Sequence, residues 1–396
     1  MKVRKLQLTN FRNHARSSLE FGDGLNVVTG ANAQGKTSVL EALSYLCLTK
    51  SFLQQSDMTV CRFGSVTFTI DGWLHGDHGI EHRVHVSYER GLEKRYLLDN
   101  NEVKKSSEVI GMFPIVVLSP GDFALTSGAP SERRKFIDMV LSQASRSYLE
   151  ELLEYRRILK QRNKVLLDGK ITGFVDKKLL AAWTDALINH GTKVMIKRSE
   201  FMGDFQGMFT DAYKLLVGSG EVPQLVYEPS FTVNWGANAS ASVTEAFHGA
   251  ISRLAKVEQA RGSSLAGPHR DDIAFMLNSV PIREFASQGQ HKTFLVALKI
   301  AEFHYMKDKL SETPAMLLDD VMTELDYTRA SKATRAISEL GQSFVTTTDM
   351  VSLDEHLLDM HSAKIHFVKD GNVFYKDLES FAAPPSLLRS ARGANG

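Results

Sequence analysis

Residues 30–38 read GANAQGKTS, a match to G-x-x-x-x-G-K-[ST]. The chemistry of such a loop is phosphate binding. Gly30 and Gly35 permit tight backbone turns, so N–H groups along Ala31, Asn32, Ala33 and Gln34 and on to Ser38 can point at phosphate oxygens. Lys36 is expected to reach the β- and γ-phosphates, and the Thr37 hydroxyl to ligate Mg²⁺ beside bound ATP. A second stretch, PAMLLDDVMTELD, places Asp319 and Asp320 at the end of an apolar run. Strand ends of this kind are where open α/β sheets bind ligands. Asp319 is assigned to Mg²⁺ through a water and Asp320 to orienting or activating the attacking water; with Lys36 they form the expected catalytic set. A third stretch, FASQGQHKTFL, leads from Ser287, Gln288 and Gly289 into a helix. A helix start preceded by such residues suits an anion. A kinase or GTPase needs no second phosphate-binding helix. An ATPase that sandwiches nucleotide between two subunits does.

These residues need a scaffold. LNVVT (Leu25–Thr29) reads as a buried strand running into the loop, and Lys36–Leu48 as the helix leaving it. SVTFTIDGWL, HRVHVSYE and KRYLLDNNEV alternate like strands, with turns expected at Asp71-Gly72 and at Asp99-Asn100-Asn101. FPIVVLS reads as a buried strand. Beyond Pro130 the pattern turns helical, with Ser131 as the expected N-cap. Arg156, Lys160 and Lys164 fall on one helix face, and two further helical segments follow, LLAAWTDALINHGTKVMIKRSEFMGDF and SVTEAFHGAISRLAKVEQARG. Sheet character returns from Gly267, through AMLLDD and SFVTTTD to a hairpin about Asp370-Gly371. The expected fold class is α/β: a P-loop NTPase head split over residues 1–118 and 262–376. A mainly helical arm occupies 119–261, and a disordered tail 377–396.

The bulk properties narrow the partners. The formal net charge of this 396-residue chain is +1, so an anionic partner must be met by local arrays. Lys104-Lys105, Arg133-Arg134-Lys135, and Arg156, Lys160 and Lys164 with Arg157 are the candidates for DNA phosphate contacts. Two cysteines, Cys47 and Cys61, argue against a disulfide scaffold or zinc cluster and fit a cytoplasmic protein. Cys47 is expected in the core. No signal peptide or membrane span is expected.

The Ser287 segment resembles the ABC-class signature, whose serine contacts the γ-phosphate held by the other subunit. MKVRKLQLTNFRNH, GANAQGKTSVLEAL, SPGDFALTSGAPSERRKFID, GPHRDD, FASQGQHKT and LLDDVMTELD, in this order, resemble the RecF family of bacterial DNA recombination and repair ATPases. The resemblance covers about residues 1–350. It implies an ABC-type ATPase head related to SMC heads, an ATP-dependent homodimer, and binding to duplex DNA at a gap or junction. It further implies work with RecR and RecO in helping RecA load at single-stranded gaps. The long interval between Lys36 and Ser287 agrees with a short helical insertion. Carried over by position, Arg12 lies near the phosphates, and Leu325-Asp326 faces the partner subunit. Thr346–Thr348 stand where ABC proteins often present a switch histidine. The metal-reaching glutamine is Gln54 or Gln55, or is replaced in the SPGD segment. Asp320 stands where the wider class has glutamate; one methylene fewer suits slow hydrolysis. GPHRDD is read as an ion-pair network of Arg270 with Asp271 and Asp272. Two other readings compete: a nucleotide-switched recruitment scaffold, and a transporter subunit, which the long insertion disfavours.

Overall fold

The computed structural model describes residues 1–53, 55–218, 220–320, 327–348 and 363–375. In chain order the elements begin with strands β1 (Lys2–Phe11), β2 (His14–Glu20) and β3 (Leu25–Thr29), then helices α1 (Lys36–Leu48) and α2 (Asp57–Val60). Strands β4 (Thr67–His75), β5 (Glu81–Glu89), β6 (Arg95–Leu98), β7 (Asn101–Glu102) and β8 (Ile115–Leu118) follow. The helical stretch comprises α3 (Phe123–Ser127), α4 (Pro130–Ala144), α5 (Arg146–Thr172) and α6 (Lys177–Val217), then β9 (Pro223–Glu228) and α7 (Ala239–Arg261). The chain returns through β10 (Asp272–Leu277), β11 (Val280–Pro281), α8 (Ile282–Phe285) and α9 (Gln288–Lys309). It continues with β12 (Ala315–Asp319), α10 (Tyr327–Ser338), β13 (Ser343–Thr347), β14 (Lys364–Lys369) and β15 (Asn372–Tyr375).

Two sheets enclose α1. The antiparallel sheet runs β2-β1-β4-β5-β6-β7, and the other runs β15-β14-β3-β13-β12-β8, parallel from β14 to β8. Strands β3, β12 and β13 are buried at every position, as interior parallel strands must be when both faces are covered. Their alternation serves two cores. Val27, Leu318 and Val345 face the core shared with α9 and α4, while Val28, Leu317 and Phe344 face the core shared with α1 and the antiparallel sheet. In β4 every second residue is buried under α1.

The Asp71-Gly72 turn expectation is corrected. Both residues lie inside β4. A Cβ on Gly72 would sit 2.3 Å from Cδ1 of Leu46, so the glycine marks where α1 meets the sheet, not where the chain reverses. The other expected turns hold. Asp99 and Asn100 adopt φ of 51° and 66° between β6 and β7, and Asp370 adopts 52° between β14 and β15. Ser131 is not the N-cap of α4: Ala129 caps the helix and Pro130 takes the first turn, where its missing N–H costs no hydrogen bond.

The helical arm is an antiparallel pair, α5 against α6, with α7 laid on both. The expected boundary at residue 261 shifts. Strand β9, inside the span read as arm, pairs along its whole length with β10, in a third sheet β11-β10-β9. Helix α6 also packs on α9. The distal arm is therefore α5, the first part of α6, and α7. The rest joins the lobe that carries Ser287.

GPHRDD is a clasp, with different partners from those expected. Arg270 donates to the Ser264 carbonyl. Asp272 instead takes both forks of Arg133, at 2.8 and 2.7 Å. Asp271, fully buried, accepts from the Tyr227 hydroxyl and from Ser230 N. Arg198, also buried, donates to Pro268 O at 2.7 Å and to Asp138 at 2.8 Å. These charges are satisfied in the interior, as buried ions must be.

Candidate nucleotide site

The loop 30–35 leaves β3 and enters α1 at Lys36. Gly35 has φ of 110°, and a Cβ there would lie 2.9 Å from Nε2 of His14. Only glycine meets both conditions without strain. Lys36 Nζ donates to the carbonyls of Gly30 (2.9 Å) and Ala31 (3.0 Å), so the ammonium is curled into its own loop. Burial lowers its pKa, while Asp320 and Asp319 oppose that shift.

The loop is braced from outside by two turns, at Asn13-His14 and at the expected Asp370-Gly371 hairpin. Asn13 donates to Ala33 O at 2.7 Å, and His14 Nε2 lies 3.1 Å from Gly35 O. His14 Nδ1 meets Ser17 Oγ, which donates to Gly371 O. On the other side Asp370 N donates to the Gln34 side chain and Gly371 N to Gln34 O. The Asp370-Gly371 turn is legible in the sequence and the Asn13-His14 turn is not, and nothing in the string says that both land on one loop.

Arg12 has a different partner from the phosphates expected of it. Its Nε and Nη2 each donate to a carboxylate oxygen of buried Glu41 at 2.7 Å, and Nη1 donates to Thr59 O. Arg12 takes a positive φ of 52°, and its neighbours Asn13 and His14 meet the loop instead.

The carboxylates are brought to the loop across one intervening strand. β13 separates β3 from β12 in the sheet. Thr37 Oγ1 donates to Asp319 Oδ1 at 2.8 Å, and Thr346 Oγ1 of β13 donates to the same oxygen at 2.8 Å. Thr346 Oγ1 also accepts from Asp320 N at 2.9 Å. Burial raises the Asp319 pKa, against the two hydroxyls. Asp320 has φ of 50°, a left-handed conformation that breaks the strand at this point. Thr346 is thus a bridge between the Asp319 carboxylate and the Asp320 backbone N–H. Its segment was singled out only for lacking a histidine.

The third expected group is elsewhere on the surface of the lobe. Ser287 caps α9 through a capping box: its Oγ accepts from Gln290 N, and the Gln290 side chain accepts from Ser287 N. Ser287 and Gln288 are exposed, and Gly289 is half-buried beside Arg329. Gln55 is exposed and near Thr59, and Ser119–Asp122 forms a capping box at the end of β8, with Asp122 3.6 Å from Lys299. Gln54, Leu325-Asp326 and residues 377–396 lie outside the described residues. Of the cationic candidates, Arg133 is buried against Asp272, and Arg134 donates to Asp271 O. Both arginines belong to the clasp, which corrects their reading as a DNA patch. Arg156 is exposed but paired with Asp138, and Arg157 with Glu154. Lys104, Lys105, Lys160 and Lys164 are exposed.

A glycine loop on one strand, a carboxylate two strands away hydrogen-bonded to the loop's threonine, and an exposed serine-capped helix in a second lobe define the class. This is an ABC-type ATPase head of the kind shared by SMC and RecF proteins. The profile of the RecF/RecN/SMC N terminal domain family matches residues 2–366. The chain is 39% identical over 363 residues to the DNA replication and repair protein RecF of Chloroherpeton thalassium, covering 90% of this chain and 98% of that one. It is 35% identical over 366 residues to the RecF of Prosthecochloris aestuarii, covering 92% and 97%. A solved structure described as the recombination mediator protein RecF-ATP in the RecFOR pathway superposes with a TM-score of 0.84 at 26% identity, covering 95% of this chain and 97% of that one. An Smc head bound to the C-winged helix domain of ScpA shares the fold, with a TM-score of 0.56 at 15% identity over 96% and 99% of the two chains. The chain belongs to the RecF family. Among the described residues no helix is long and apolar enough to cross a membrane.

Proposed function

We propose that this chain binds ATP with Mg²⁺ at the Gly30–Ser38 loop, dimerises on it, and binds DNA in the dimeric state as a DNA replication and repair protein. The observation that carries this is the shared hydrogen bond between Thr37 and Asp319. A hydroxyl and a carboxylate converge on one point beside the loop, a donor set suited to a hard divalent cation that takes its other ligands from phosphates and water. Thr37 and Asp319 would hold Mg²⁺, which supplies charge neutralisation between phosphates when bound. Lys36 exchanges its bonds to Gly30 O and Ala31 O for phosphate oxygens. Asp320, beside Lys36, orients the attacking water. Ser287, exposed on its helix start, closes over the nucleotide of a second copy. Hydrolysis is slow and acts as a switch, and the dimer works with RecR and RecO in helping RecA load at single-stranded gaps. DNA contacts are to phosphates, so affinity falls steeply with salt.

The test is sedimentation of the Asp320→Asn variant with ATP and Mg²⁺, with Lys36→Met as control, followed by duplex binding of each. A trapped Asp320→Asn dimer that binds DNA, and a Lys36→Met monomer that does not, is the expected result. A persistent Asp320→Asn monomer refutes the trans closure by Ser287. A nucleotide-dependent dimer with no DNA signal favours the recruitment scaffold.

A further inference from the structure

The arm ends in apolar side chains that nothing in the described fold covers. At the turn between α5 and α6, Ile171 is 74% and Phe174 76% exposed, and Leu167 and Leu179 beside them are about half exposed. The turn is nonetheless held in shape. Asp176 caps α6 by accepting from Lys178 N and Leu179 N. The Thr172 hydroxyl donates to Asp168 O and accepts from Phe174 N. Val175 seats in the notch of Gly169, where a Cβ would come within 2.3 Å of it. An exposed ring on a braced turn is presented, not left over from a floppy loop.

The approach to this tip is cationic. Lys160 and Lys164 stand one turn apart on α5, and Leu167 and Ile171 continue the same face at helical spacing. Lys177 and Lys178 flank Phe174 from the α6 side. These four lysines are exposed and have no ion-pair partner among the described residues, unlike Arg156 and Arg157. Asp168 and Asp176 are the opposing charges, and Asp176 also caps α6.

We propose that the arm tip is a stacking element for an unpaired base, with Phe174 as the platform and the lysines as the phosphate track leading to it. The occupant is DNA in which single strand meets duplex. Unpartnered lysines match a polyanion, whereas protein interfaces are depleted in lysine. A lone exposed aromatic ring among lysines is the combination that binds single strands without reading sequence. In intact duplex every base face is already stacked, so the ring has a ligand only where a base is unpaired. The arm thereby distinguishes a gap edge from continuous duplex. This rests on the DNA-binding reading above.

The experiment uses the full chain with ATP and Mg²⁺ and two probes of one mixed sequence. One is a partial duplex with 2-aminopurine at the first unpaired position; the other is fully paired. The chain is expected to bind the partial duplex more tightly and to quench its 2-aminopurine. Phe174→Ala should lose the quenching and cut that preference at least about fivefold, with duplex affinity unchanged, while Phe174→Trp retains both. Lys160→Ala with Lys164→Ala should weaken both probes together and flatten the salt dependence. No binding to either probe overturns the DNA reading itself. Duplex binding with equal affinity for the partial duplex, or a preference that survives Phe174→Ala, overturns the stacking role alone. A preference that survives while Phe174→Ala abolishes association with a protein of the same pathway assigns the tip to protein docking instead.

Discussion

Thr346→Val is the most discriminating single change. Valine keeps the branched shape and deletes only the hydroxyl, at a site 1% exposed. Two hydrogen bonds vanish together: the one donated to Asp319 Oδ1 and the one accepted from Asp320 N. A hydrogen bond to a charged group contributes about 1.5–3 kcal/mol, and a donor left unpaired costs about 1–3 kcal/mol. Asp320 is half-buried, so the second loss falls at the low end. The two are not independent, and about 2–4 kcal/mol of destabilisation is expected. Thr346→Ser is the control, because it keeps the hydroxyl and loses a methyl worth about 1 kcal/mol. The assays are urea denaturation and the thermal shift caused by ATP with Mg²⁺. Thr346→Val should also shrink that shift, since Asp319, already raised by burial, loses one of the two donors that hold it ionised. If valine and serine variants unfold within about 0.5 kcal/mol of each other and respond alike to nucleotide, the bridge does not hold the Asp319 carboxylate and the Asp320 backbone in place.

Other outcomes follow from the same geometry. Asp319→Asn should stabilise the nucleotide-free protein near neutral pH, read by urea denaturation, while abolishing the Mg²⁺-dependent part of the ATP thermal shift. The sign follows from the raised folded-state pKa: that carboxyl's contribution is fully present below its unfolded value and lost as pH rises through the folded one. Gly72→Ala should cost about 1–3 kcal/mol by urea denaturation, because the new methyl overlaps Leu46 in the packed core. A neutral effect would show that α1 can lift from β4. His269 predicts acid sensitivity. Burial lowers its pKa to about 4, while Tyr155 Oη donates to Nδ1 and Nε2–H donates to Ser264 O, which fixes the neutral form. With a depressed folded-state value, its stability is present above about 6.5 and lost as pH falls through about 4, up to about 3 kcal/mol. His269→Gln should flatten the urea midpoint between pH 6.5 and 4.5; an unchanged slope would assign the effect to other groups.

How much was legible depended on whether partners were local. The loop, its strand and its helix are one continuous string with fixed offsets, and α1 spans the residues read for it, Lys36–Leu48. The place of Asp319 at a strand end was legible because the apolar run ending in carboxylates is read together with the glycine loop. Thr346 was not, because its role exists only once β13 lies between β3 and β12. Gly72 was misread for a related reason. Asp-Gly is a turn signal in isolation, and only the approach of Leu46 from α1 makes it a packing signal. Arg133 and Arg134 read as a basic run because their acceptors lie more than a hundred residues away, at Asp272 and Asp271. A charge run in a string carries no information about which charges are already spent on the interior.

The clasp also gives the arm a mechanical meaning. Asp271 and Asp272 lead into β10, and β10 leads through β11 and α8 to Ser287. The same short segment is tied to α4 by Arg133, to α6 by Arg198, and to α5 through Tyr155 and His269. Breaking one partner of such a buried pair costs about 3–5 kcal/mol, so the arm helices do not shift freely against β10. A second clasp, Arg162 to Glu258 at 2.6 Å with Ser264 beside them, ties α5 to α7 in the same way. Any movement of the Ser287 helix must therefore carry the whole arm with it. On the proposed reading, ATP-dependent closure and the placement of the arm tips on DNA are one rigid-body displacement, and Arg198→Met should uncouple them: dimers would still form with ATP, but with their preference for unpaired bases lost.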